Sequence, residues 1–564
     1  MATKAPPPQA SGADLSKAQH CDVFVLGSGL AGSTIATVLA AQGAKVVLVD
    51  AAQHPRMAIG ESQTPQLAEW LHILAERYGV PELASLAKVG VTNKVVGPTH
   101  GVKVHFGFVR HEVGKEPNPA ESTQFAIPRL LAQNSHMFRQ DTDSWMFQVA
   151  VKYGVQVRQL WRAADMDFDD DGVTVSGTNG DVYRARYLVD ASGFRSLLAE
   201  KFDLREKPAR FKHHSRSLFN HFIGIKPFDD VVDFPAEHRP PIKWHKGTMH
   251  HMIDRGWLWI IPFNNYRKSK NPLVSVGLQL DERVYPKPKD MTPQQEFDAF
   301  LDKYPAIKRQ FVGARPVREW VSTDRLQYSS RKSVGPRWCL MSHAAGFIDP
   351  LFSRGLSNTM EVVDALASRV LEALKDNDFS EERFSYVEQL EAGLLDFNDE
   401  LVNSAVISFS HFRLWNAVFR VWGCFITPGV MRLTGARLRY VVDNDDSHFT
   451  ALEKTENPGL WWPESKTFQR ILEVTAETCE KFEVGELTGD QAADIILKVV
   501  QDSPEVNPTF GWKDPATRFV APSTWDLAKF VRWGLMSAGP DMRKLTRFVV
   551  SGGLKAGPRA RKLM

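Results

Sequence analysis

Asp22-Val23-Phe24-Val25-Leu26-Gly27-Ser28-Gly29-Leu30-Ala31-Gly32 is the stretch that decides the fold. Its opening residues make a compact apolar strand that runs directly into glycines spaced GxGxxG and then into an Ala-rich helix ending near position 41. Gly27 allows the tight turn, and Gly29 lets the backbone approach a pyrophosphate, with Ser28 and Ala31 beside it. Gly32 lets helix and strand pack, and the helix N-terminus favours the negative charge. A second strand at 45–49 ends at Asp50, eighteen residues beyond Gly32, where an acid can bind ribose hydroxyls. The glycines alone are a weak signal. Strand, glycines, helix, strand and acid in this order predict a Rossmann-type dinucleotide module. No second glycine fingerprint follows: Asn179-Gly180 is a hairpin turn between apolar runs at 173–175 and 182–183.

The chain has 564 residues, and single cores seldom grow beyond about 250–300 residues, so two or three regions are expected. A net charge of +3 calls for neither nucleic acid nor an acidic membrane surface, and a small-molecule enzyme fits better. Cys21, Cys339, Cys424 and Cys479 lie far apart with no CxxC or His cluster, which argues against a zinc site and a disulfide framework and for a reducing cytoplasm. No metal site is expected. The first twenty residues, with Pro6-Pro7-Pro8, lack a signal-peptide apolar run and read as a disordered lead. No stretch is long and apolar enough to be a transmembrane span.

Two strands further along carry possible chemistry. Gly256-Trp257-Leu258-Trp259-Ile260-Ile261-Pro262 alternates so that Trp257, Trp259 and Ile261 share one face, and Pro262, with no N–H to give, closes the ladder. Such an indole pair can line a cofactor site or fill a core. Gly101-Val102-Lys103-Val104-His105-Phe106-Gly107-Phe108 reads as one period-2 strand, with Val102, Val104, Phe106 and Phe108 on one face and Lys103 and His105 on the other. From its own residues, Lys103 reads as a solvated lysine on the polar face rather than a catalytic one.

These motifs together resemble the flavin-dependent halogenases. The tryptophan run matches Trp-x-Trp-x-Ile-Pro, the signature of that family. The segment 54–65, with Arg56 and Gly60-Glu61-Ser62-Gln63-Thr64-Pro65, resembles the Gly-Glu-Ser/Ala-x-x-Pro loop over the flavin ring. Tyr187-Leu188-Val189-Asp190-Ala191-Ser192-Gly193 is similar to the second FAD motif of hydroxylase-like flavoproteins, and 344–356, with Asp349-Pro350, is similar to the third. Where that family usually has Gly-Asp, this chain has Ser342-His343. Arg139, at the start of a helix over 140–152, matches an arginine placed near the FAD, although a solvated helix-start arginine is an equal reading. Gly-Val-Lys before an aromatic strand, with His111 following, resembles the phenol-halogenating branch and falls on Lys103. Lys94 lacks the pattern. The likeness covers most of residues 21 to about 370.

The resemblance implies an α/β, hydroxylase-like FAD-binding fold: a Rossmann-type module interleaved with an antiparallel substrate-side sheet over 21–380, and a mainly helical region at 381–564 closing the substrate pocket. Its implied cofactor contacts are Gly27, Ser28, Gly29, Ala31, Gly32, Asp50, Arg56, Glu61, Ser62, Arg139, Asp190, Gly193, Asp349 and Pro350. FAD arrives as FADH2 from a separate NAD(P)H flavin reductase and reacts with O2 to a C4a-hydroperoxide, and chloride or bromide attacks this to leave as hypohalous acid. Backbone N–H groups of Ser353, Arg354 and Gly355 at a helix start would hold the halide. Trp257, Trp259 and Pro262 would shield the flavin from the arene. Lys103 would receive the oxidant, by hydrogen bond or as a chloramine, and aim it at the ring. Tryptophan halogenases have an acid in Pro-Leu-Glu-Ser. Here Pro350-Leu351-Phe352-Ser353 puts Phe352 in its place, which points to a phenolic arene of secondary metabolism, such as antibiotic biosynthesis. An aromatic hydroxylase on the same fold and a flavin-binding protein that has lost its chemistry are the alternatives.

From about 380 the pattern turns helical, with Leu390, Leu394, Leu395 and Phe397 on one face and aromatics at Phe409, Phe412, Trp415 and Phe419. The tail is basic, with Arg543, Lys544, Arg547, Lys555, Arg559, Arg561 and Lys562. It reads as a solvated helix or as a dock for an acidic carrier protein.

Overall fold

The computed structural model describes residues 16, 18–128 and 133–557. Most of the expected lead and the tail residues Arg559, Arg561 and Lys562 lie outside these. Gln19 and His20, expected to belong to that lead, instead open the first strand, Gln19–Leu26.

Among the described residues the strands form an eight-stranded sheet, a nine-stranded sheet and a two-stranded pair. In the first, Gln19–Leu26 lies between Val182–Asp190 and Val46–Asp50, parallel to both, and Trp338–Leu340 and Gln156–Gln159 extend it in parallel on either side. Its central strands, over Val23 to Leu26 and Val46 to Val49, are near-continuous apolar runs because both faces are covered there. Val23 and Val25 pack with the helices Leu30–Ala41, Arg139–Lys152 and Gly355–Asp376, while Phe24 and Leu26 pack with Trp161, Tyr183 and the hairpin of Gly172–Gly177.

The second sheet runs Arg315–Pro316, Arg216–Ile223, Val274–Leu280, Gly256–Pro262, Thr248–Ile253, His105–Arg110, Ser122–Ala126 and Phe519–Val520, largely antiparallel. Gly256–Pro262 sits inside it, with Leu258 and Ile260 in one apolar cluster and Trp257, Trp259 and Ile261 in another. Trp259 pairs with Gly277, where a Cβ would stand 1.9 Å from the indole. The glycine is the seat of the ring.

The strand expected over 101–108 is two. Gly101–Lys103 pairs with Asn134–His136, the ladder breaks at Val104, whose N–H bonds Lys246 O, and His105–Arg110 joins the large sheet. The break abolishes the expected polar face. Lys103 is 0% exposed and its Nζ stands 3.5 Å from the Phe106 ring centroid, on the side where that ring lies.

Beyond Asp376 the chain is mainly helical, led by Glu381–Ser408 and by Phe412–Asp443, which carries Pro428 inside it. Phe409, Trp415 and Phe419 are core residues of the cluster that also holds Phe106 and Trp257. This region is not a separate body: Phe519–Val520 pairs parallel with Ser122–Ala126. Among the described residues no helix is long and apolar enough to cross a membrane.

Candidate functional site

A cleft of about 1310 Å³ opens at the carboxyl ends of the parallel strands, lined among others by Gly27, Gly29, Ala31, Asp50, Arg56, Arg139, Gly193, Ser342 and His343. Three observations fit it to an anionic dinucleotide. At Gly29 a Cβ would meet no protein atom within 4 Å, so the open space there belongs to the cleft. Helix Leu30–Ala41 starts at Gly29 with no side-chain cap and no acid in its first turn, leaving N–H groups for a phosphate. Arg56 lines the cleft with its Nε unpartnered while its Nη2 bonds Asp50 Oδ2 at 2.7 Å. Gly27 and Gly32 are required for other reasons: Gly27 has φ +93°, and a Cβ on Gly32 would stand 1.8 Å from Gly27 O.

Several expected cofactor contacts instead hold the walls. Ser28 is buried, and Asp50 Oδ2 accepts from its N–H at 2.7 Å and its hydroxyl at 2.8 Å. Asp190 is fully buried behind the turn, accepting from Ser192 and Ser196, so Ala191 to Gly193 line the cleft in its stead. Glu61 does not face the cleft either. Its Oε1 lies 2.7 Å from His221 Nε2 and its Oε2 accepts from Ser275 Oγ at 2.6 Å. Ser62 Oγ pairs with Thr248 Oγ1 at 2.7 Å. Arg139 lines the cleft and clasps the loop, donating to Asp143 and to the carbonyls of Ile59 and Gly60. Asp349 accepts from Ser215 Oγ and from the N–H of Leu351, which shapes the turn at Pro350. Ser342 and His343, the departure from the family pattern, do line the cleft. Burial and the charge of Arg139 push the His343 pKa down to about 4, so the ring is neutral.

Lys103 Nζ donates to Ser353 Oγ at 3.2 Å. Burial holds its pKa well below the ordinary lysine value. The link joins the lysine to the expected halide turn, whose details differ from expectation. Ser353 has φ +57° and spends its N–H on Pro350 O, so it is no halide donor. The Arg354 guanidinium turns away, 4.4 Å from the Phe397 ring centroid and 4.9 Å from that of Trp461, and burial pushes its pKa down to about 9. That leaves the backbone N–H of Arg354, the residue that caps the helix, and the first N–H groups of Gly355–Asp376, where Gly355 comes close to His343. Phe352 stacks on Trp422 at 5.1 Å, an apolar contact where an acid was the alternative.

Trp257 and Trp259 do not line the cleft. They are buried core residues, 5.5 Å apart, in one cluster with Phe106, Ile348, Leu351 and Phe352. Pro262 serves through its carbonyl, which His136 Nδ1 approaches at 2.9 Å. Sequence reasoning missed Asn265, whose amide clasps Val102, donating to its carbonyl at 2.8 Å and accepting its N–H at 2.7 Å. The second of two adjacent asparagines, three residues past Pro262, gives no signal of this in the sequence. His111 pairs with His251 rather than with the lysine.

A doubly covered parallel sheet with a phosphate-ready helix start, joined to a large antiparallel sheet, is a hydroxylase-like FAD-binding architecture, and the family described as FAD binding domain matches residues 20–270. The chain belongs to the flavin-dependent halogenases. It is 51% identical over 524 residues to tetracycline 7-halogenase of Kitasatospora aureofaciens, covering 93% of this chain and 94% of that one. It is 44% identical over 507 residues to monodechloroaminopyrrolnitrin halogenase PrnC of Pseudomonas fluorescens, covering 89% and 88%. A crystal structure of halogenase PltM in complex with phloroglucinol and FAD matches with a TM-score of 0.86 at 32% identity, covering 89% of this chain and 100% of that one. The protein is an FAD-dependent halogenating oxidoreductase that uses O2 and a halide on an aromatic substrate.

Proposed function

We propose that the substrate is a phenolic arene and that Lys103 delivers the halogen to it. The observation that carries this is a fully buried lysine, its pKa held well below the ordinary lysine value by burial, bonded to Ser353 at the turn that precedes the helix Gly355–Asp376. In net terms ArH, X⁻, FADH2, O2 and H⁺ give ArX, FAD and two H2O. Bound reduced FAD supplies, with O2 and halide, the two-electron oxidation that makes hypohalous acid. Gly27, Gly29, Ala31, Asp50, Arg56, Arg139 and Gly193 hold the cofactor, and the first N–H groups of the helix at Gly355 hold the halide. A neutral amine can accept a hydrogen bond from HOX, or take the halogen as R–NH2 + HOX giving R–NHX + H2O. A charged ammonium can do neither. Phe352, stacked on Trp422, leaves no carboxylate there to draw off the ring proton, so the arene must stabilise its own cation. A phenol does so through its oxygen, and the phloroglucinol of the PltM complex is of this class.

Trp257 and Trp259 act as packed wall, keeping the arene on the lysine side. Reduced flavin comes from a separate NAD(P)H flavin reductase, because the chain has one glycine fingerprint only. The four free, buried thiols suit a reducing cytoplasm. The test is mass spectrometry of products from a phenol panel with a flavin reductase, O2 and each halide. Isotope-doublet products from phenols support the reading. Hydroxylated products without halogen, or halogenation of indoles and pyrroles alone, would end it.

A further inference from the structure

Asn134 is 0% exposed, and neither its Oδ1 nor its Nδ2 has a hydrogen-bond partner. Such a side chain is out of place in a finished core, since a buried primary amide left unpaired at both ends costs stability that leucine, of similar size, would not. Its position gives the reason. In the antiparallel pair of Gly101–Lys103 with Asn134–His136, Asn134 is the direct partner of Lys103. Directly opposed residues project from the same face with their Cβ atoms about 5 Å apart, so the amide and the amine start from the same face of the strand pair. Lys103 does not satisfy the amide: the hydrogen bond its Nζ makes goes to Ser353, and none reaches Asn134. The strand is fixed at its other end by His136, which bonds Pro262 O and Thr248 Oγ1, so Asn134 is held on a rigid element rather than free to turn elsewhere.

We propose that Asn134 is a substrate-binding residue that grips the hydroxyl of the arene, the O–H donating to Oδ1 and the oxygen accepting from Nδ2, and so fixes which ring carbon faces Lys103. The assignment rests on the phenolic reading above. A carboxamide suits a neutral phenol because it offers one donor and one acceptor side by side, whereas a carboxylate would repel the phenolate character that grows as the ring is activated. Anchoring one substituent beside the amine also supplies what a lysine on a three-residue strand lacks, a second point that orients the ring.

The experiment compares wild type with Asn134→Leu and Asn134→Ala, using phloroglucinol and its trimethyl ether with reductase-supplied FADH2. Leucine fills the space without polar atoms, so it should fold at least as well as wild type. The expected result is a fall of about tenfold in kcat/KM for the free phenol, carried mostly by KM, with a broader spread of product isomers. The ether should change little, and FAD binding and trapping of hypohalous acid by a diffusible scavenger should stay unchanged. Unchanged kinetics and isomer ratio with the phenol would overturn the proposal. So would an equal fall for phenol and ether with hypohalous acid formation lost, which would place Asn134 on the oxidant. If the wild type halogenates no phenol, the phenolic reading fails. The same pair of variants is then run on the arene it does accept and on its N- or O-methylated form, and an equal effect on both overturns the role of Asn134 by itself.

Discussion

Replacing Lys103 by methionine and by alanine separates its chemistry from its packing. The side chain is wholly buried, with Nζ against the Phe106 ring and the Ser353 hydroxyl. Alanine deletes everything beyond Cβ and leaves a cavity, at a cost of about 2–5 kcal/mol by comparison with other long buried side chains. An unfolding entropy of roughly 1.2 kcal/mol per kelvin for 564 residues turns this into a melting temperature lower by roughly 2–4 °C. Methionine fills the space and sets sulfur beside the Phe106 ring, a favourable contact. It also removes a titration. Lys103 has its folded pKa lowered, so between that value and the unfolded one of about 10.4 the unfolded chain binds the extra proton, and wild-type stability rises with pH through this window. Lys103→Met should therefore be at least as stable as wild type at neutral pH, and its advantage should shrink toward pH of about 10. Both variants should lose halogenation about a thousandfold or more, the amine that positions the oxidant being gone, while O2 still reoxidises the bound reduced flavin at the wild-type rate. Product is read by mass spectrometry and flavin oxidation by absorbance. Regioselective halogenation by Lys103→Met within tenfold of wild type would refute the role of the lysine.

Gly29→Leu should fold normally yet lose FAD affinity by about tenfold or more, because its side chain enters the cleft, whereas Gly32→Leu should not fold, its Cβ being 1.8 Å from Gly27 O; flavin titration and circular dichroism separate the two. Gly277→Ala should cost about 1–3 kcal/mol in urea unfolding, since its Cβ meets the Trp259 indole at 1.9 Å. Halogenation should fall as pH is lowered and Lys103 takes up a proton, with FAD binding by titration steady over the same range, and a flat profile would count against a neutral amine. NADPH alone should give no turnover, and steady NADPH oxidation by the isolated protein, stimulated by a phenol, would count for a hydroxylase.

The nucleotide module was legible almost residue by residue, because each glycine answers a local demand: a positive φ at Gly27, open space at Gly29, contact at Gly32. Polar residues were legible only as types. Asp50, Asp190 and Glu61 all occupy motif positions, but which of them faces the cleft depends on partners distant in sequence, such as Ser275, 214 residues from Glu61. Periodicity misplaced Lys103 because alternation extrapolates through Val104, while the backbone there bonds Lys246 and breaks the ladder. Arg354 sits at a helix start in the sequence, but its long side chain follows the aromatic faces of Phe397 and Trp461, and neither ring is signalled by the local pattern.

The three halogenase motifs lie far apart in the chain, and the hydrogen bonds show why they come as a set. The indole N–H of Trp259 donates to Ser275 Oγ at 3.1 Å, and that hydroxyl donates to Glu61 at 2.6 Å, so the tryptophan strand and the Gly-Glu-Ser loop share one buried chain. A second chain fixes the lysine. Because Pro262 O can only accept, His136 carries its proton on Nδ1, and its Nε2 must then accept from Thr248. Thr248 in turn must accept from Ser62. His136 is on the strand paired with Lys103, and Asn265 clasps Val102 beside it. Gly101 is forced by the same closeness, since a Cβ there would stand 2.2 Å from Pro262 O. Loop, tryptophan strand and lysine strand are thus tied to one another through buried hydrogen bonds. Glu61→Ala would strand His221 and Ser275 without their acceptor, at about 1–3 kcal/mol for each group. By loosening the loop at Ser62 it should also misplace Lys103, which no longer would meet the halide turn in register. The separable reading, in which the motifs act independently, requires Glu61→Ala to lower stability in urea unfolding while halogenation per folded molecule stays at the wild-type level. The shared network requires both to fall together.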